Sequence, residues 1–260
     1  MIFVTGDTHG DFSRLSPEEF PRQKELSRED YVIICGDCGL IWDWRGETID
    51  EICWKKWLEA RPFTLLFIDG NHENFDRLNA MPAEEWHGGL IHRVSDHVLH
   101  LMRGQIFSID GLSFFTLGGA ASHDIGDGII NLDGEDLHWR NTAKRWSWEG
   151  RTEFRVNHVS WWKEEVPGED EIERGAAALA AHGNAVDCIL THEAPASDVT
   201  LLGGGGFRPD HLSMRLEDIK STVSFRQWYF GHYHVDASTD VNCRCLWHDL
   251  LQVPGSPDAG

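Results

Sequence analysis

The 260-residue sequence contains no apolar run approaching the roughly 18–20 residues that cross a bilayer, so no membrane-spanning helix is expected. It is also short of positive charge: 23 Lys and Arg stand against 43 Asp and Glu, a formal net charge of −20. Long duplex nucleic acid is held by Lys and Arg that displace its counterions, and a surface of this sign repels it. Small phosphorylated molecules and phosphoproteins stay open as partners, because bound metal ions can supply positive charge locally. Cysteine is sparse. The six are scattered, mostly in apolar stretches such as Tyr31-Val32-Ile33-Ile34-Cys35, which suits reduced, buried thiols in the cytoplasm better than a disulfide framework. The start has neither a basic n-region nor an apolar h-region, so a secretory signal is not expected. No proline-rich linker, composition break or repeat divides the chain, and one domain over 1–260 is expected. The glycine run at 203–206 lacks the Lys-Ser/Thr of a nucleotide P-loop, which argues against phosphate cradling there.

What the sequence does contain is one plan used five times. Ile2-Phe3-Val4-Thr5 reads as a short buried strand and runs into Gly6-Asp7-Thr8-His9-Gly10. Asp7 and His9, two residues apart in extended chain, point to the same side and can approach one ion together. The apolar run at 31–35 leads into Gly36-Asp37-Cys38-Gly39, and that at 63–68 into Asp69-Gly70-Asn71-His72-Glu73. Two more, at 186–190 and 225–230, deliver Thr191-His192-Glu193 and Gly231-His232-Tyr233-His234. Amphipathic helices are expected at 47–59 and 169–182, while Ser13–Arg28 is helix-compatible but broken by Pro17 and Pro21. Strands alternating with helices predict a parallel α/β arrangement, in which functional groups gather beyond the carboxyl ends of the strands. Residues 90–117 read as short antiparallel strands turning at Arg103-Gly104 and Asp110-Gly111, so the sheets are mixed. Residues 121–170 form a polar, Trp-rich excursion, with a helix expected near 152–165 and a place over a sheet edge rather than the site mouth. A last strand is expected near 245–250, and a disordered tail after Pro254.

Asp7, His9, Asp37, Asn71, His192, His232 and His234 therefore all lie in loops that follow expected strands. One such pair is weak evidence, since loop histidines are commonly solvated; five such loops in one chain are much stronger. These motifs, in this order and across nearly the whole chain, resemble those of the calcineurin-like metallophosphoesterases. The resemblance implies a four-layer α/β fold, two mixed β-sheets packed face to face and flanked by helices, with two metal ions at one sheet end. It implies that Asp7, His9 and His234 bind one ion, that Asn71, His192 and His232 bind the other, and that Asp37 bridges both. His72 would protonate the leaving group or contact a phosphoryl oxygen. A mixed carboxylate and imidazole set suits Mn²⁺, Fe or Zn²⁺, with manganese the first expectation, rather than Mg²⁺ or Ca²⁺. Seven ligands exceed one tetrahedral Zn²⁺ but suit two divalent ions sharing a carboxylate and activating water against phosphorus. The implied activity is hydrolysis of a phosphomonoester or small phosphodiester, with a phosphorylated small molecule as substrate.

Departures from the pattern narrow this further. The protein-phosphatase branch carries Gly-Asp-x-Val-Asp-Arg-Gly at the second motif, where this chain reads Gly36-Asp37-Cys38-Gly39-Leu40-Ile41-Trp42. The second aspartate and the arginine are gone, and Asp69 precedes Gly70 where that branch has another arginine. A Ser/Thr phosphoprotein phosphatase is thus an alternative of lower rank, as is a non-catalytic protein-binding scaffold, which would be expected to have lost ligands. Phosphate contacts are then sought from Arg140, Arg145 or Arg208. Asp124, or His123 beside it, could face the site from the Gly118-Gly119 loop, and neither is assigned a role. Cys35 and Cys38 form a Cys-x-x-Cys, but Asp37 between them favours metal binding over redox chemistry.

Overall fold

Strands buried on both faces must be apolar at every position, and the unbroken runs of this chain are of that kind. The computed structural model describes residues 1–132, 138–203 and 206–255. In chain order its strands are β1 (Ile2–Thr5), β2 (Tyr31–Cys35), β3 (Thr64–Ile68), β4 (Ala83–Trp86), β5 (Gly89–Ser95) and β6 (Val98–Leu101). Next come β7 (Gln105–Ile109), β8 (Leu112–Leu117), β9 (Gly128–Ile130) and β10 (Phe154–Val156). The last are β11 (Ala185–Thr191), β12 (Ser224–Phe230), β13 (Ala237–Ser238), β14 (Cys243–Cys245) and β15 (Leu250–Gln252). The helices are α1 (Ile49–Glu59), α2 (Phe75–Asn79), α3 (Trp139–Trp148), α4 (Glu169–Ala181), α5 (Ala196–Gly203) and α6 (His211–Thr222).

Two mixed sheets result. One has the order β15-β1-β2-β3-β6-β5-β4 and the other β13-β14-β12-β11-β8-β7. Within the first, β1, β2, β3 and β6 run parallel, β15 and β5 run antiparallel to them, and the edge strand β4 pairs antiparallel with β5. In the second, β8, β11, β12 and β14 are parallel, and β7 and β13 antiparallel. Side-chain alternation assigns the faces. Val4, Ile33, Leu66, Phe114, Leu190 and Tyr229 meet in one cluster between the sheets. Phe3, Val32, Leu65 and Phe67 face outward with Leu58 of α1, while Phe115, Ile189 and Trp228 face Ile172 and Leu179 of α4 and Leu212 and Leu216 of α6. Helix, sheet, sheet, helix is the expected four-layer order.

Most expected elements form within a residue or two. The antiparallel reading of 90–117 needs one correction: the turn at Arg103-Gly104 is not a hairpin but the place where the chain leaves the first sheet, after β6, for the second, at β7. The expected strand near 245–250 is two strands, β14 and β15, in different sheets. Ser13–Arg28 holds only short 3₁₀ turns at Ser13–Leu15 and Pro21–Glu25. The helix sought near 152–165 does not form, because Phe154–Val156 pairs in parallel with Gly128–Ile130 as a separate ribbon. The helix of this region is α3, which the sequence does not announce, as it does not announce β4, α2, α5 and α6. Positions 204 and 205 of the glycine run, and the tail from 256, lie outside the described residues.

The excursion also packs where it was not expected. Trp162, fully buried, meets Trp42 at 5.7 Å between ring centroids, and Trp42 in turn meets His72 at 5.6 Å. The ribbon pairs with neither main sheet, so the excursion stands beside the loops after β2 and β3 rather than extending a sheet edge. Among the described residues, no helix is long and apolar enough to cross a membrane.

Candidate metal centre

β1, β2 and β3 of one sheet and β11 and β12 of the other end on the same side, and the five loops that follow them converge there. The turns are tight. Of eight non-glycine residues with positive φ among those described, four are His9, Asp37, His232 and His234. Left-handed backbone at such residues is strained, of order 1–3 kcal/mol each, and is held only where the surroundings insist on it. Glycine is required where neighbouring loops touch. A Cβ on Gly70 would lie 2.1 Å from Oδ1 of Asp37, and one on Gly231 would lie 2.2 Å from Oδ1 of Asp7. The glycines of the motifs thus make room for the carboxylates of their neighbours.

Asp7 is 1% exposed. Its Oδ1 accepts from the backbone N–H of His232 at 3.1 Å, and its Oδ2 is buried without a hydrogen bond. Facing that oxygen are Nε2 of His234 at 3.2 Å and Nε2 of His9 at 3.9 Å, the two nitrogens themselves 2.9 Å apart. Asp37 stands between this group and a second one. Its Oδ2 is 3.8 Å from Nδ1 of His9, and its Oδ1 is 3.3 Å from Nε2 of His192. His192 places Nδ1 2.9 Å from the Cys35 carbonyl, so a proton there is donated to that oxygen and Nε2 is left with a lone pair. Yet that lone pair meets two more acceptors, Asp37 Oδ1 and, also at 3.3 Å, Oδ1 of Asn71. Such a convergence is repulsive unless a proton or a metal cation sits among them.

The electrostatics show the same demand for positive charge at this point. Burial disfavours a charged His192, but Asp37 and Asp7 overcome it and push its pKa up to about 10. Burial likewise opposes ionisation of Asp37, and His192, His72 and His9 outweigh it, holding the carboxyl far below its usual range. Burial lowers His9, His72 and His232, keeping these imidazoles in the neutral form that ligates metals. Among the described residues, two groups have ligand atoms all within 4.8 Å of one another: Asp7, His9 and His234, and Asp7, Asp37 and His192. The donor set, an orphaned buried carboxylate oxygen and converging lone pairs all fit divalent transition ions.

All seven sequence candidates and His72 thus come together at one place. His232 is the one that turns aside: its Nε2 lies 2.8 Å from Nε2 of His123, and it joins neither close group. Asp37, Asn71, His72, His123, Asp124, Phe207, His232, Tyr233 and His234 line a cleft of about 240 Å³. The arginines sought for phosphate are elsewhere. Arg140 lies over Trp139 and Trp44, Arg145 pairs with Glu149 on the exposed face of α3, and Arg208 is exposed and does not line the cleft. The arginine at the rim is Arg155 of β10, whose Nε donates to Oδ1 of the cleft-lining Asp124 at 3.0 Å while Nη2 bonds its other oxygen. Glu73 was also passed over: its Oε1 accepts from the backbone N–H groups of Cys38 and Gly39 at 2.8 and 3.3 Å, tying the third loop to the second. Burial, then repulsion by Asp37, pushes its carboxyl well above the usual range. Its position after Asn71-His72 was the only sequence signal.

Comparison with known proteins agrees with this geometry. No curated protein is similar enough to match the chain. The family model for calcineurin-like phosphoesterase matches residues 1–236, nearly the whole length and all five loops. Fold, converging metal-ligand groups and family match lead to one statement: this chain belongs to the calcineurin-like phosphoesterase family.

Proposed function

We infer that the protein is a dinuclear metal-dependent phosphoesterase that hydrolyses a phosphomonoester or small phosphodiester. The observation that carries this is the pairing of an orphaned, buried Asp7 oxygen aimed at His9 and His234 with an Asp37 whose two oxygens face His9 on one side and His192 on the other. Asp7, His9 and His234 would hold one ion, Asn71, His192 and His232 the other, with Asp37 shared, and manganese fits this donor set. When bound, a pair of divalent ions supplies an activated water and the positive charge that a phosphoryl transition state calls for.

The chain's own residues do the rest. His72, flanked by His9 at 5.1 Å and Trp42 at 5.6 Å between ring centroids, lines the cleft where a leaving group would depart and is placed to protonate it. Arg155, steered by Asp124, brings a fixed positive charge to the rim of an otherwise acidic protein and suits a phosphate oxygen. Leu40, in the place where the protein-phosphatase branch carries its second aspartate, is 4% exposed in the apolar cluster outside the first sheet, so it offers nothing to a phosphopeptide. All six cysteines are free, in keeping with a reducing compartment such as the cytoplasm.

The test is turnover of p-nitrophenyl phosphate and its bis-ester with added Mn²⁺, the ratio separating monoesterase from diesterase. Asp37→Asn should lower turnover at least about 100-fold, the scale on which losing a shared metal ligand acts, with the circular dichroism of the folded protein retained. Undiminished turnover would contradict the assignment.

A further inference from the structure

We propose that Ser122 and Glu165 are positioning residues that orient the Asn71 amide, so that its oxygen and not its nitrogen faces the metal centre. The inference rests on the dinuclear reading above. Oxygen and nitrogen of an amide are near-equal in size, so hydrogen bonding must choose between them. Nδ2 of Asn71 lies 3.3 Å from Oγ of Ser122. The single hydroxyl proton of Ser122 is used elsewhere: Oγ donates to Oε2 of Glu165 at 2.7 Å, while the Ser122 backbone N–H donates to Oε1 at 2.8 Å. What Ser122 offers Asn71 is therefore a lone pair, which only the NH₂ end can use. Oδ1 is left facing Nε2 of His192, the nitrogen that also faces the shared Asp37. All three residues are buried, with Asn71 at 5%, Ser122 at 8% and Glu165 at 2% exposure, so water does not readily substitute for any of these bonds.

The support of Glu165 explains why the excursion closes where it does. Its carbonyl accepts from the N–H of Ala120 at 3.0 Å. Arg103 donates to the carbonyl of the preceding Glu164 at 2.8 Å and to the carboxylate of Asp69 at 2.6 Å. Asp69 lies two residues before Asn71, and its carbonyl accepts from Gly119 at 2.9 Å. One arginine therefore fastens both the end of the excursion and the start of the ligand loop, and the Glu165–Ser122 pair spans the gap between them.

The experiment is calorimetric titration of metal-free protein with Mn²⁺, for wild type, S122A, S122T and E165Q, alongside the melting temperature of each metal-free protein. Two classes of site are expected in wild type. S122A should weaken one class by about 10–100-fold, the usual effect of losing a partner behind a ligand, and leave the other class unchanged, a selectivity that any fall in the metal-free melting temperature would not produce. S122T, which keeps the hydroxyl, should restore affinity. E165Q, which cannot accept from both donors of Ser122, should show the same selective loss and serves if S122A does not fold. Unchanged affinity in both S122A and E165Q would overturn the proposal. So would an equal loss in both classes that follows the melting temperature, since that marks a structural role. A wild-type protein that binds no Mn²⁺ would instead bring down the metal reading itself.

Discussion

His72 has its imidazole edge-on to His9 and tilted against Trp42, in the wall of the cleft and not among the close metal-ligand groups. Its backbone N–H is the part tied to the centre, donating to Oδ1 of Asp37 at 2.7 Å, which frees the ring for a substrate. Burial lowers its pKa, Asp37 opposes, and Arg155 lowers it further, so protonation of the leaving group by this ring, which needs the imidazolium, should fade as pH rises through neutrality. A general acid matters most when the leaving group is a poor one. His72→Ala should therefore slow alkyl phosphates by about 10²–10⁴-fold and p-nitrophenyl phosphate far less, read as kcat across a leaving-group series. Equal losses along the series would show that the ring binds phosphate rather than protonating the departing oxygen.

At the scale of elements, the crossing from β6 to β7 joins the two sheets and carries a buried polar chain. Arg103 holds Asp69 through Nε at 2.8 Å and Nη2 at 2.6 Å. Asp69 bonds Nε2 of His100 at 3.0 Å, and Nδ1 of His100 lies 3.1 Å from Nδ1 of His92. Burial would raise Asp69, but Arg103 and His100 outweigh it and hold the carboxyl below its ordinary range. His92, at the far end, has no carboxylate of its own. Burial, then repulsion from His100, lowers its pKa from 6.5 to about 4. In that interval the unfolded chain binds a proton that the folded one refuses, so stability falls as pH falls from 6.5 to about 4. The full effect is on the order of 3 kcal/mol. His92→Gln, which cannot titrate, should flatten this part of the stability–pH curve in urea unfolding relative to wild type. Parallel curves for the two proteins would show that His92 is protonated in the fold.

Across the whole molecule, loops from both sheets enclose two buried carboxylates in a protein of net charge −20. Divalent ions bound there would join the sheets and relieve that repulsion, and whatever binds only the folded state stabilises it. Mn²⁺ at about 100 times its dissociation constant contributes about 2.7 kcal/mol per site, which for a chain of this size is roughly 5–10 °C for one site and about 10–20 °C for two. Chelation followed by gel filtration should lower the melting temperature by that amount in scanning calorimetry, and Mn²⁺ should restore it. Equal melting temperatures with and without the ion would mean that the centre does not take it up.

Local chemistry was legible in the sequence. Each of Asp7, His9, Asp37, Asn71, His192, His232 and His234 sits within a few residues of an apolar run whose length and composition mark a buried strand, and strand ends in α/β sheets are where loops meet. Contacts across sequence were not legible. Ser122 and Glu165 lie 43 positions apart, and Asp124 and Arg155 31 apart. Nothing in either local pattern distinguishes a serine or arginine of the site from one at the surface. The crossing at Arg103 reads as an ordinary turn, because its hydrophobic pattern is the same whether β6 and β7 share a sheet or face each other across the core. Strand, helix and ligand type follow from short-range periodicity and residue chemistry. Which loop leans on which follows from packing two sheets at one angle, and that was decided only in three dimensions.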